Sequence, residues 1–537
     1  MLGRSSGDAP SSSDPVAAIA ALSPEERRLL AYASAIGTEF EFALLQAAMG
    51  LEEETLAEQL ERLVRRGVLR ERPGGEQFAF ADEQVRARIY RALTESRLRV
   101  LHRKIAEVIE AARPEPGPEV LAELGRHYFL GKVPEKSQEF NRRAAEAAVA
   151  AGEVAQAIPH LERVLVDLAA LPGDHRKEWI EVSERLGELC YLTSNFRAAD
   201  RHYEEALSYV GHDEPTIRAR VLLARAEIAR ENLDPAAAIE RATEAQRLFE
   251  SAHDGVGVAQ TYHLLGRVAF QGGDYRESLD LSMRARSALP PEADARLKGR
   301  LSIDIGNAFA LLGDDVRPVA IEWYERAATL LRSAHDWVEL TRALHNLGVI
   351  VGESRPQDGL EYLEQARAAA ERIHDVRFLG RTLLSGVEMR LALGQVEEAE
   401  RDNEQAGRIL ERLSDELGIQ QVFRNRGLIA ERQGQWEDAE RAYARAAEMA
   451  ATSKVVTDEA EAWFLLARLR FKTRDFRGAR EAFDRATEMK VVELSPRLAP
   501  AYAQLLRDLE TAMRTGAPAS EKETTTARDG SGGHRVL

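Results

Sequence analysis

Four His-Asp pairs, His212-Asp213, His253-Asp254, His335-Asp336 and His374-Asp375, are the residues of this chain best suited by type to bind a metal ion or move a proton. Their spacing argues otherwise. Each pair falls between two stretches of helical periodicity, just before a new helix begins, where Asp serves as an N-cap. The one cysteine, Cys190, has no partner for an internal disulfide and reads as a small apolar core residue in a reducing compartment. No stretch reads G-x-x-x-x-G-K-[ST], the loop that cradles phosphates; Gly131-Lys132 and Lys298-Gly299 lack its other glycines and its hydroxyl. No Ser-His-Asp, Cys-His or paired-carboxylate set stands out, so the expectation is no enzyme, no metal and no cofactor.

The elements behind these residues are helical. Apolar residues make up 44% and charged residues 30% of 537 positions, with Ala, Leu, Glu and Arg dominant. A formal charge of −16 speaks against nucleic acid, whose binding needs clustered Lys and Arg. Met1 to Asp14 has no apolar leader, and no apolar run approaches the roughly 20 residues of a membrane span. The expectation is a cytoplasmic protein with no membrane partner.

Residues 1–21 and 515–537 read as flexible ends, the second a disordered tail. Between them, 22–112 forms a compact unit. Ser23-Pro24-Glu25-Glu26 is a helix start, followed by helices to Gly37, to Met49 and over about 52–66. Val68 to Glu71 and Gln77 to Phe80 then flank Pro73-Gly74-Gly75 as strand, turn and strand. Two further helices, 83–92 and 95 to about 112, complete a winged-helix pattern. Helices over 113–137 join it to a periodic region, 138–497.

In that region a small residue, a bulky one four on, and a small one three further recur. Clean instances are Ala199/Tyr203/Ala206, Ala320/Tyr324/Ala327, Ala439/Tyr443/Ala446 and Ala479/Phe483/Ala486; weaker ones bring the number of repeats to nine, 39 to 42 residues apart. About twelve residues upstream lies a Leu-Gly-like pair, as at Leu186-Gly187, Ile305-Gly306 and Leu347-Gly348. Paired antiparallel helices approach closely only where a small side chain sits at the crossing, so this spacing predicts an array of helix pairs, with Tyr or Phe filling the space between repeats. Trp179, Trp323, Trp436 and Trp463 are expected at repeat interfaces, with Trp337 partly exposed. A last helix, 498–514, would cap the array.

These spacings resemble the tetratricopeptide repeat, in its longer form of about 40 residues. The segment LSPEERRLLAYASAIGTEFEFALLQAAMGL, with LVRRGVLRE and FAFADEQVRARIY, is similar to the winged helix of signal-transduction ATPases with numerous domains, maltose-activator-like regulators. In that family the winged helix sits between an ATP-binding module and a tetratricopeptide sensor. The family usually has a histidine after the second wing strand, where this chain has Asp82, and the ATP-binding module is missing. The resemblance implies an all-α fold: a tetratricopeptide-like α-α superhelix of about nine repeats preceded by a small winged-helix domain. It also implies that positions 2, 5, 6, 9 and 12 of each first helix, counting the Gly of the Leu-Gly pair as position 8, face a partner-binding groove. These include His263, Arg267, Phe270, Arg300, Asn307, Arg342, His345, Asn346, Arg424 and Asn425, which could grip an acidic or extended segment.

The expected function is a scaffold or sensor holding a protein or peptide in signal transduction or transcriptional regulation. One alternative is a DNA-binding regulator; against it, the reading helix opens with Glu52-Glu53-Glu54. Another is a separated regulatory part of a signalling ATPase, with an ATPase subunit acting in trans.

Overall fold

The computed structural model describes residues 22–494 and 498–515, so the expectations for 1–21 and for the tail from 516 lie outside it. The chain divides into two compact units, Met1–Asp254 and Gly255–Leu537.

The first unit opens with α1 (Pro24–Ile36), β1 (Glu39–Glu41), α2 (Phe42–Met49), α3 (Glu53–Arg65), β2 (Leu69–Glu71), β3 (Gln77–Phe80), α4 (Glu83–Arg91) and α5 (Glu95–Ala112). Ser23 starts α1 as the motif requires: its hydroxyl accepts from the Glu26 amide at 3.1 Å, and the Glu26 carboxylate accepts from the Ser23 amide at 2.8 Å. The strands form an antiparallel sheet in the order β1-β3-β2, with Phe40 opposite Phe78 and Leu69 opposite Phe80. Gly74 and Gly75 take φ values of +104° and +74° in the β2–β3 turn, a region closed to most side chains. The sequence pattern pointed to two strands; β1, three residues long, is too short to show alternation.

One core gathers Leu29, Phe40, Leu56, Leu60, Phe78, Leu101 and Ile105, and it does not stop at residue 112. It continues into Leu124 and Tyr128 of α6 (Pro118–Leu130) and Phe140 of α7 (Pro134–Ala150), where the Tyr128 and Phe140 rings stack at 5.6 Å.

Antiparallel pairs follow. In the first unit α7 pairs with α8 (Val154–Ala170), α9 (Arg176–Leu192) with α10 (Phe196–Tyr209), and α11 (Pro215–Glu231) with α12 (Pro235–Ser251). The second unit pairs α13 (Gly255–Gln271) with α14 (Tyr275–Ala288), α15 (Ala295–Leu312) with α16 (Arg317–Ser333), and α17 (Trp337–Gly352) with α18 (Pro356–Arg372). It goes on with α19 (Val376–Ala392) and α20 (Val396–Arg412), α21 (Glu416–Gln433) and α22 (Trp436–Ser453), and α23 (Val456–Lys472) and α24 (Phe476–Glu488), then the short α25 (Val491–Leu494) and α26 (Ala499–Thr515).

The small-bulky-small triads lie on the second helix of each pair. Ala199, Ala206, Ala320, Ala327, Ala439 and Ala446 are all 0% exposed. The aromatic residue between them does more than fill the gap to the next repeat. Its ring lies on the glycine of its own pair's first helix: a methyl on Gly187 would meet the Tyr203 ring at 2.7 Å, and one on Gly306 the Tyr324 ring at 2.7 Å. The glycine is therefore a seat for the ring, and Tyr443, seated on Gly427, also joins Ala460 and Phe464 of the following pair in one cluster.

The turns between pairs explain the His-Asp motif. His335 and His374 take left-handed φ values of +53° and +55°, ending one helix. Asp336 and Asp375 then accept from the amides of Glu339 and Phe378 at 3.2 and 2.9 Å, starting the next. At 212–213 the helix starts two residues later, at Pro215; the Glu214 side chain secures that turn, accepting from the Gly211 amide at 3.0 Å. Trp436 departs from the expectation of a packed interface: it is 39% exposed, under the Lys472 ammonium at 4.8 Å. Among the described residues no helix is long and apolar enough to cross a membrane, and no group of three or more His, Cys, Asp or Glu is arranged for a metal ion.

Candidate interaction surface

The residues expected to line a groove all lie on first helices of the second unit, and most of them join one repeat to the next. His263 of α13 meets Asp304 of α15 at 2.6 Å, 41 residues away. Asn307 of α15 accepts from Tyr324 Oη at 2.8 Å and from Asn346 Nδ2 of α17 at 2.9 Å. His345 sits edge-on to Phe378 of α19 at 5.2 Å, and its pKa falls to about 4, first through burial and then through Arg381. Asn425 of α21 donates to the Leu384 carbonyl of α19 at 3.1 Å and is 3% exposed, so it faces a neighbouring helix rather than a groove.

Arg424 runs the same way. Its guanidinium donates to Glu388 of α19 at 2.6 Å and lies 4.0 Å from Glu461 of α23. Burial alone would lower its pKa, but the two carboxylates hold it above the ordinary value. Phe270 packs on Tyr275 of its own pair, ring centroids 5.2 Å apart, with Arg267 half-buried on the same helix. Only Arg300 and Arg342 reach well into solvent, at 49% and 58% exposure, and both lean on Glu339, at 3.4 and 3.5 Å. Of the ten residues, six thus join neighbouring repeats in a ladder, Phe270 stays with its own pair beside the half-buried Arg267, and two arginines face outward.

Sequence reasoning missed the acids that complete this ladder. Glu431 of α21 holds Arg468 of α23 at 3.1 Å, 37 residues on, and Asp415 holds Arg381 at 3.3 Å, 34 residues back. An acid and a base one repeat length apart are the signal that could have found them.

A cavity of about 550 Å³ lies elsewhere, in the first unit, between the first helices α7, α9 and α11. Leu161, Val182, Leu189 and Tyr203 form an apolar floor, and Arg142, Glu146, Glu181 and the pair Glu184–Arg220 form the rim. Arg220 grips Glu184 with both prongs, Nε to Oε1 at 2.8 Å and Nη2 to Oε2 at 2.7 Å, which raises the Arg220 pKa. This rim joins α9 to α11 as the ladder joins helices in the second unit, but it leaves an open trough above the apolar floor.

Antiparallel helix pairs at this pitch, seated ring on glycine, decide the architecture. The fold is an all-α array of tetratricopeptide-like repeats. No family model matches the chain, and no curated protein matches its sequence. Among solved structures it is similar to a signal-transduction ATPase with numerous domains carrying a tetratricopeptide repeat sensor, from Pyrococcus horikoshii, at 13% identity and a TM-score of 0.47, over 94% of this chain and 68% of that one. It is also similar to aspartyl phosphate phosphatase F from Bacillus subtilis, at 12% identity and a TM-score of 0.46, over 66% of this chain and 94% of that one. A Rap protein complexed with competence and sporulation factor follows at 16% identity and a TM-score of 0.40, over 72% of this chain and 96% of that one.

Proposed function

We propose that this chain is a non-catalytic scaffold whose tetratricopeptide-like repeats hold a peptide or an extended segment of a protein, in the service of signalling or transcriptional control. The trough of about 550 Å³ between α7, α9 and α11 carries this reading. It lies within the size range of natural ligand pockets, and its apolar floor under a charged rim suits a segment that buries side chains while polar groups fix its register. Arg300 and Arg342 offer a second, smaller contact for carboxylates in the other unit. Cys190 fits a bystander role, since burial raises its thiol pKa and keeps it protonated.

The helix–strand–helix–helix–strand–strand order of 24–80 supports reading this segment as a winged helix. The exposed face of α3 carries Glu53, Glu54, Glu58 and Glu61, with Arg62 and Arg65 spent on Glu58 and Glu61 at 3.7 and 3.5 Å. Such a face repels phosphates, so the segment serves as an adaptor rather than as a DNA reader. Any nucleotide-driven switching would come from an ATPase subunit in trans.

The test is selection of a random peptide library on the purified chain, followed by photo-crosslinking of the enriched peptides. Enriched peptides should crosslink to α7, α9 and α11 and lose binding to an Ala224→Trp variant, whose ring would fill the trough. A library that enriches nothing, or crosslinks that fall elsewhere, would end the proposal.

A further inference from the structure

The charges around the trough are not balanced, and the imbalance says what kind of segment it takes. Three arginines and four glutamates line it: Arg142, Arg185 and Arg220 against Glu146, Glu181, Glu184 and Glu188. Two of the arginines are already committed. Arg220 is locked on both oxygens of Glu184, and Arg185 reaches Glu188 at 2.7 Å on its own helix. That leaves two carboxylates, Glu146 on α7 and Glu181 on α9, both exposed, against the single half-buried cation of Arg142. The trough therefore carries a net charge of −1 within a chain of net charge −16, and both its local and its long-range fields favour a cationic visitor.

The floor adds a second requirement. Val149, Leu161, Val182, Leu189 and Ala224 are apolar, and Tyr203 is 6% exposed with its ring already seated on Gly187. A purely basic segment would leave this floor wet. An extended chain turns successive side chains to opposite sides, so alternate apolar residues can reach the floor while the residues between them project to the rim.

We infer, resting on the groove reading above, that the trough selects an extended segment in which apolar side chains alternate with cationic ones. The cations pair with Glu146 and Glu181. Arginine suits these carboxylates better than lysine, because its planar fork can engage both oxygens at once.

The experiment is fluorescence anisotropy on the full chain with three fluorescein-labelled peptides of equal length: alternating Leu and Arg, alternating Leu and Glu, and alternating Ser and Arg. The Leu/Arg peptide should bind tightest, and a Glu146→Arg/Glu181→Arg variant should weaken it by about tenfold or more while strengthening the Leu/Glu peptide. Circular dichroism melting of the variant should match that of the parent chain, since neither glutamate makes an ion pair among the described residues. Equal binding of Ser/Arg and Leu/Arg would reduce the effect to general attraction to an acidic protein and overturn the inference. So would Leu/Glu binding as tightly as Leu/Arg. If no designed peptide binds while library peptides still crosslink to α7, α9 and α11, the charge selection falls and the groove stands; if the library also selects nothing, both fall.

Discussion

The Nδ1 atoms of His102 and His127 face each other at 2.9 Å inside the first unit, so one ring must donate and the other accept. Arg126 settles which. Its guanidinium can only donate, and it reaches His127 Nε2 at 2.8 Å, so His127 carries its proton on Nδ1 and passes a hydrogen bond to His102. His102 then donates through Nε2 to Tyr90 Oη at 2.8 Å. The chain of bonds runs one way, and both rings are neutral.

This arrangement has a pH signature. Burial, aided by the nearby Arg126 charge, lowers the His102 pKa from 6.5 to about 4; burial, Arg126 and the neighbouring His102 also hold that of His127 well below 6.5. The unfolded chain therefore takes up protons first, so stability from His102 is complete above its unfolded pKa and is lost as pH falls from 6.5 toward 4. Between the unfolded pKa and about pH 5 the loss is about 2 kcal/mol. Asp167, pushed up to about 6 mainly by burial, acts in the opposite sense over part of this range, so the parent chain is compared with a His102→Gln variant. Urea midpoints at neutral and mildly acid pH should show the variant losing less stability on acidification; parallel slopes would remove His102 from the account.

Replacing Gly427 with Ala should unseat Tyr443. The added methyl collides with the ring, and overpacking of this kind costs about 1–3 kcal/mol, partly offset by the roughly 1 kcal/mol that alanine gains over glycine in a helix. Gly266 is the control, because the nearest side-chain atom to its added methyl is Ser282 Oγ at 3.1 Å. Hydrogen exchange of α21 and α22 should rise in the first variant and stay near the parent's pattern in the second.

Arg424→Met should weaken the second unit by about 1–3 kcal/mol, because Glu461, 12% exposed, loses a nearby cation. Charge reversal at Arg424 accordingly reports on stability. Reversal at Arg300 and Arg342, both about half exposed, leaves folding near the parent's and reports on binding. Chemical denaturation beside a binding assay separates the two effects; loss of stability from the Arg300/Arg342 pair would contradict the division.

At the turn before α19, His374→Gly and Asp375→Ala should move stability in opposite directions. Glycine relieves a left-handed residue and should add about 0.5–1 kcal/mol. Removing the cap on the Phe378 amide should cost about 1 kcal/mol. Thermal melts of the two single variants are enough to check both signs.

Much of the fold was readable because it is written in small residues. Ala320, Ala439 and Gly427 mark helix crossings whatever the tertiary detail, and Ser23 with Glu26 marks a helix start by local chemistry alone. The candidate site was harder to read. Position 6 of a first helix can face a groove or the helix beside it, and Asn425 faces the helix, a choice made by the twist between repeats rather than by residue type. The trough on α7, α9 and α11 escaped notice because its floor residues, such as Leu161 and Val182, look like any others in the core pattern.

The core that runs from Leu29 through Ile105 to Leu124 and Phe140 bears on how this protein could have been assembled. A recombination joint at the Arg113–Gly117 segment would look neat on paper, yet it would orphan His102 from His127 and bare the oily sides of two severed pieces. Any exchange of the amino-terminal head for another must therefore carry α6 and α7 along with it, and with α7 its packed partner α8, so the seam for shuffling such heads lies beyond residue 170, inside what the periodicity counts as the array.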